Sequence, residues 1–142
     1  MSRESVELVR AIFDLWNSAD AWGDARTGKL DPRLIALTAP DATYDMSRRT
    51  FNPEIYEGHA GLVRLRRDID EVWEAWSRTT EQIIDAGERV VVIETVRGRG
   101  RGSGVEVTQR GAFIYTVRDG QVIHVELYPD PQAALKAVGL EE

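Results

Sequence analysis

The apolar positions near the N-terminus, Val6, Val9, Ile12, Phe13 and Trp16, recur at spacings of three and four. They define one face of a helix from Ser5 to Trp16. Asn17 to Asp20, and the mixture of glycines and charges from Trp22 to Lys29, carry no period and read as the helix exit and a loop. Asp31-Pro32 couples an acceptor side chain to a preset φ, the chemistry of a helix start, and leads into a short helix through Leu37. Ala39-Pro40-Asp41 ends it, and Ala42 to Met46 follows as a brief strand. Asn52-Pro53 and Glu57-Gly58 mark Ser47 to Gly58 as a loop with room for one strand-like pair, placed where it can act as a lid. The helical period returns from Ala60 through Leu62, Leu65, Ile69, Val72, Trp73 and Trp76, so the main helix is expected to run to Trp76.

Beyond the turn at Asp85 to Glu88 the chain becomes β. Arg89 to Arg97, Val105 to Val117 and Gln121 to Tyr128 read as three consecutive antiparallel strands, the last two joined by the hairpin pair Asp119-Gly120. Pro131 to Leu140 reads as a terminal helix stopped by Gly139. No repeat or shift of composition divides the 142 residues, so residues 1–142 form a single domain of the α+β class in which a sheet buries one face against helices.

Composition narrows the chemistry. Cysteine is absent, which excludes disulfides and thiolate chemistry, and the two histidines, His59 and His124, are too far apart in sequence to seed a metal site. No metal and no cofactor are expected. A net charge of −6 disfavours binding to nucleic acid. The first twenty residues contain no apolar run of signal or membrane-span length, so a cytoplasmic protein without a membrane partner is expected. The run Arg97 to Gly104 has the composition of an arginine-glycine RNA-binding segment, yet it is short and lies between two β runs, and reads as a flexible hairpin tip. Asp68-Ile69-Asp70-Glu71 reads as the solvated side of a helix pairing with Arg64, Arg66 and Arg67, without chemistry of its own.

The order of these elements, with the phrases PDATYD, YEGHAGL, DAGERVVVIETVRGRGRGSG, RGAFIYTVRDGQVIHVELYPD and AALKAVGL, resembles the SnoaL-like branch of the nuclear transport factor 2-like superfamily. The resemblance covers nearly the whole chain. It implies a cone in which a strongly bent antiparallel sheet wraps a long helix around an apolar pocket, often with homodimers formed through the outer sheet face. Relatives include ketosteroid isomerase, polyketide cyclases, limonene epoxide hydrolase, scytalone dehydratase and plain binding domains, so the fold alone does not assign a function.

The resemblance also implies a strand register. It turns Val91, Ile93, Thr95 and Arg97 inward on the first long strand, Gln109, Gly111, Phe113 and Tyr115 on the second, and Val125 and Leu127 on the third. His124, Glu126 and Tyr128 stay outside. Ile12, Trp16, Trp73 and Trp76 close the cavity from the helices, with Tyr44 and Met46 at its side and His59 near its mouth. A ketosteroid-type isomerase needs a carboxylate base and two donors in an apolar site, but the matching positions hold Met46, Ile12 and Phe113. The arginine and two aspartates of the epoxide hydrolases are matched by Thr95, Arg97 and Leu127. A one-residue slip would exchange the faces and bring Asp45, Glu94 or Glu126 inward.

Tyr115, Arg97 and Asp45 are accordingly the catalytic candidates: a phenol to donate to a ligand oxygen, a guanidinium to polarise a carbonyl, and a base whose carboxyl desolvation would raise. Two readings stand. One is a cofactor-free acid–base isomerase, cyclase or dehydratase acting on a hydrophobic, ring-bearing substrate. The other is a non-catalytic ligand-binding or dimeric assembly domain.

Overall fold

The computed structural model describes residues 2–17, 32–49 and 53–140. Its element order is α1 (Ser2–Asn17), α2 (Pro32–Leu37), β1 (Thr38–Asp45), β2 (Ile55–Glu57), α3 (Gly58–Val72), β3 (Trp73–Ala86), β4 (Arg89–Gly100), β5 (Glu106–Arg118), β6 (Gln121–Tyr128) and α4 (Pro131–Ala137). The strands form one curved, open sheet in the order β2-β1-β6-β5-β4-β3, antiparallel throughout except for the parallel pair β1 and β6. The expectations for Trp22 to Lys29, for the Asp31 cap and for the centre of the loop before β2 fall outside the described residues. Among the described residues no helix is long and apolar enough to cross a membrane.

Two apolar clusters lie on the two faces of the sheet. The larger joins Val9, Ile12, Phe13 and Trp16 of α1 to Leu62 and Leu65 of α3 and to Val90, Val92, Tyr115 and Val125 on the inner face. The smaller sets α4, through Ala134, against Val91, Ile93, Ala112 and Ile114 on the outer face. Asp130 caps α4 by accepting from the Gln132 backbone N–H at 3.0 Å. At its other end Gly139, at φ +79°, donates to the Lys136 carbonyl while Leu140 donates to that of Leu135. This pair of bonds closes the helix and confirms glycine as its stop.

Two expectations require correction. The main helix ends at Val72, and Trp73 and Trp76 belong to a fourth long strand, β3. Neither glycine nor proline marks that junction. The terminal carbonyls of α3 are met instead from the β4–β5 hairpin: Arg101 donates its backbone N–H to Val72 O and its Nε to Asp70 O, both at 2.9 Å, and its Nη2 to Trp73 O at 3.3 Å. Only Arg101 to Gly104 of the arginine-glycine run form the hairpin tip, docked on α3, while Arg97 to Gly100 are paired residues of β4. Gly98 has a packing role there, because a Cβ at this position would stand 2.8 Å from Cε3 of the Trp73 ring.

The second correction concerns β4. Val90, Val92, Glu94 and Val96 face the interior, so Val91 and Ile93 lie under α4 and Thr95 and Arg97 are on the outer face. Residues 90–94 are buried without interruption, since the strand is covered on both sides, and such a run carries no alternation from which to read its face. The partner strand does carry it. Val90 pairs with Tyr115, Val92 with Phe113 and Glu94 with Gly111, and directly opposed residues share a face.

Candidate functional site: a polar floor in an apolar cone

Between α1, α3 and the inner face of the sheet lies a cavity of about 220 Å³. Its walls are mainly apolar and aromatic, with Trp16 from α1, Leu65 and Ile69 from α3, Trp73 and Trp76 from β3, and Phe113 from β5. Tyr44 and Met46, Gln109, Gly111 and Tyr115, and Val125 and Leu127 also line it, as the expected register of β1, β5 and β6 implies. The rings of Trp16 and Trp76 meet edge-on, centred 6.2 Å apart at 68°.

The cavity floor is charged. Arg78 of β3 and Glu94 of β4, diagonal neighbours across that ladder, form a two-pronged ion pair: Nε donates to Oε2 at 2.9 Å and to Oε1 at 3.2 Å, and Nη2 donates to Oε1 at 2.5 Å. Their side chains are 6% and 1% exposed, so the pair is sealed from solvent. Aromatic rings surround the guanidinium, whose carbon lies 4.1 Å from the Phe13 centroid, 4.7 Å from that of Phe113 and 5.4 Å from that of Trp16. Burial works against the cation, but Glu94 and then Tyr115 offset it, and Arg78 is held protonated well above its ordinary range. Tyr115 hydrogen-bonds to Arg78, and burial pushes its phenol upward despite that cation. Burial likewise raises Tyr44, which lines the cavity beside it. A floor that is neutral in sum but locally polar results, with Arg78 and Tyr115 as donors.

Neither Arg78 nor Glu94 is among the site residues that the sequence predicts, although the exchange of faces that brings Glu94 inward is realised on β4. Their signal is a single acid inside the apolar run Val90 to Val96: an ionised side chain there requires a partner on a neighbouring strand. Asp68, whose spacing predicts the solvated side of α3, instead lines the cavity and accepts a short hydrogen bond from the Tyr56 hydroxyl. Arg49 Nη2 donates to the same hydroxyl at 3.0 Å.

The remaining candidates are dispersed. Thr95 donates its hydroxyl to Glu81 at 2.6 Å on the outer face, and Arg97 is exposed. Asp45 also faces outward, bound by the Ser47 hydroxyl and backbone N–H and 3.7 Å from Arg48. The Ser47 hydroxyl is the main reason its carboxyl is held below the usual range, the opposite of the expected upward shift. Ile12 is buried in the core. His59 Nε2 is 3.0 Å from the Thr38 carbonyl oxygen, outside the cavity lining. His124, Glu126 and Tyr128 are outside as expected, where His124 joins Thr43 at 2.5 Å to Glu126 at 3.1 Å.

The architecture recurs in solved structures of low identity. An NTF2-like protein of unknown function from Burkholderia pseudomallei is 19% identical, with 98% of this chain and 99% of that chain covered at a TM-score of 0.72. A proposed SnoaL-like polyketide cyclase from Jannaschia sp. is 21% identical over 99% and 95% of the two chains, at 0.72. TerC, co-crystallised with polyporic acid, is 19% identical over 95% and 98%, at 0.70. No curated protein sequence matches. The family model of the SnoaL-like domain matches residues 9–125, from α1 to the middle of β6, and the chain belongs to that family.

Proposed function

We propose that the cone binds a hydrophobic, ring-bearing small molecule and acts on it by acid–base chemistry without a cofactor. The observation that carries this reading is the sealed Arg78, Glu94 and Tyr115 group at the floor of an otherwise apolar cavity. Burying an ion pair costs several kcal/mol of desolvation, of order 3 kcal/mol or more per ion, and packed apolar residues fill such a space at lower cost. A guanidinium and a phenol held in a water-poor cavity are suited to receive a carbonyl or phenolate oxygen. The names of the Jannaschia protein and of the polyporic acid complex of TerC agree with a ring-bearing ligand.

Cavity size limits the ligand. Sites for drug-sized molecules span about 300–1,000 Å³, and this cavity of about 220 Å³ matches compounds of one or two rings. A thermal-shift panel of one- and two-ring ketones, phenols and epoxides, with steroids as the oversize control, tests the reading. A ligand at a hundred times its dissociation constant adds about 2.7 kcal/mol, which raises the melting temperature by several degrees. Shifts confined to small ring ketones or phenols support the proposal. A flat panel, or a response to steroids alone, overturns it.

A second copy of the chain is the proposed partner. Helix α4 covers the outer face over β4 and β5, including Ile114, and leaves a half-exposed strip of Thr43, Asp45, His124 and Glu126 on β1 and β6. Sedimentation at micromolar concentration is expected to show a dimer, and a monomer would refute that assignment.

A further inference from the structure

The cavity opens at one end of the sheet. Along β5 its lining passes from Tyr115, 3% exposed, through half-buried Phe113 and Gly111 to exposed Gln109 and to Val107 at 39%. Val107 pairs with Gly98, and the ring of Trp73 lies against Gly98. The mouth is therefore bounded by the β4–β5 hairpin on one side and by the α3–β3 junction on the other, where half-buried Val72 and Trp73 line it.

One residue ties these two sides together. Helix α3 passes into β3 without a loop, so its last carbonyls need donors from elsewhere in the chain. Among the described residues, every hydrogen bond from the hairpin tip to that junction comes from Arg101: its backbone N–H to Val72 O, its Nε to Asp70 O and its Nη2 to Trp73 O. Arg101 is exposed, so water competes for its side-chain bonds and they break and re-form readily. The tip has little else to keep it in place. It turns on Gly102 and Gly104, at φ +87° and +68°, and Gly98 and Gly100 bring no side chain to the end of β4. The β3–β4 ladder ends there at the Trp73–Gly100 pair, and its register shifts between Trp73 and Ala75.

We infer that the β4–β5 tip is the gate of the cavity and that Arg101 is its latch. This inference rests on the pocket reading above and adds the route by which a ligand enters. With Arg101 on the three carbonyls, the end of β4 is held against the Trp73 ring and the mouth is shut. When the guanidinium lets go, the tip and the end of β4 lift from the junction and a ligand passes between Trp73 and Val107. Such local opening belongs to the least stable parts of a fold, and gates are drawn from them. Arg101 is not part of the cavity lining. The empty and the loaded cavity are latched alike, so the latch sets how fast a ligand comes and goes and leaves its affinity unchanged.

The test mixes the whole chain with the two-ring ketone β-tetralone in a stopped-flow instrument and follows tryptophan fluorescence. Arg101→Met keeps the apolar stem and removes the guanidinium donors. It should raise the association and dissociation rate constants together, each by about tenfold, with the dissociation constant unchanged. A purely structural role would weaken affinity or stability and would not move both rates at constant affinity. Arg99→Met, which loses only the surface pair with Glu74, should keep the parent rates. A second variant works in the opposite direction. Ala75 and Arg99 are directly opposed on β3 and β4, within reach of a cross-strand disulfide, and the chain has no cysteine of its own. Ala75→Cys/Arg99→Cys should take up and release β-tetralone slowly when oxidised and return to the parent rates on reduction. Parent rates in Arg101→Met, or an oxidised lock that admits β-tetralone as fast as its reduced form, overturn the latch and leave the pocket reading standing. A parent protein whose fluorescence does not respond to β-tetralone overturns the pocket reading and the latch with it.

Discussion

The inner and outer faces of the sheet use the same residue types under different physical conditions. Inside, Glu94 meets Arg78 at 1% and 6% exposure, with aromatic rings around the cation. Outside, Glu126 meets His124 at 27% and 34% exposure, and Glu81 meets Arg110 at 35% and 56%. Water screens the outer pairs and can replace either partner. It cannot do so inside, where each charge is compensated by the other rather than by solvent. A buried pair is thus a commitment of the fold to polarity at one point, and here that point is the cavity floor.

The largest test of this contrast is to break the inner pair. Arg78→Met or Glu94→Gln leaves a charge uncompensated and should cost about 3–5 kcal/mol in urea unfolding. The double variant Arg78→Met/Glu94→Leu should recover much of that loss, and the same cost in all three variants would contradict the pairing. Next in size is Gly98→Ala, whose methyl would press on the Trp73 ring at 2.8 Å. It should destabilise by about 1–3 kcal/mol and alter Trp73 fluorescence. Smaller still is Glu126→Gln on the outer face, expected below about 1 kcal/mol and weakened further by salt. A loss as large as at Glu94 would erase the difference between the faces.

At neutral pH the tyrosines contribute no pH dependence, but alkali separates them. All four, Tyr44, Tyr56, Tyr115 and Tyr128, are raised, with burial as the first cause in each. The folded state holds protons that the unfolded chain releases near pH 10, so the tyrosines' contribution to stability is constant below about pH 10 and is lost as pH rises further. Ultraviolet titration should show little tyrosinate at pH 10 in the native protein and half-ionisation in denaturant. Coincident curves would contradict the burial of these phenols.

Much of the fold was legible in the sequence because its signals are local. The three-and-four spacing marks α1, Asp119-Gly120 marks a hairpin whose residues take φ +53° and +75°, and Gly139 stops α4. The β3 strand was illegible for a nonlocal reason: Trp73 and Trp76 continue the spacing of α3, and the group that receives the helix end is Arg101, 31 residues beyond Asp70. The site divides in the same way. Phe113, Tyr115, Val125 and Leu127 alternate cleanly and line the cavity, whereas Arg78 lies on a strand that continues the helical spacing and Glu94 in a run buried on both sides. Asp68 follows the polar spacing of an exposed helix face, and only the approach of Tyr56 and the sheet shows that this face lines the cavity.

The central claim is that the polar floor recognises an oxygen atom inside an apolar cavity. Titrating the protein with β-tetralone and with tetralin, its oxygen-free counterpart, while following tryptophan fluorescence tests this most directly. A hydrogen bond to a charged donor contributes about 1.5–3 kcal/mol, so the ketone should bind roughly ten- to a hundredfold more tightly than the hydrocarbon. Equal affinities would show that Arg78 and Tyr115 take no part in binding and would contradict the account.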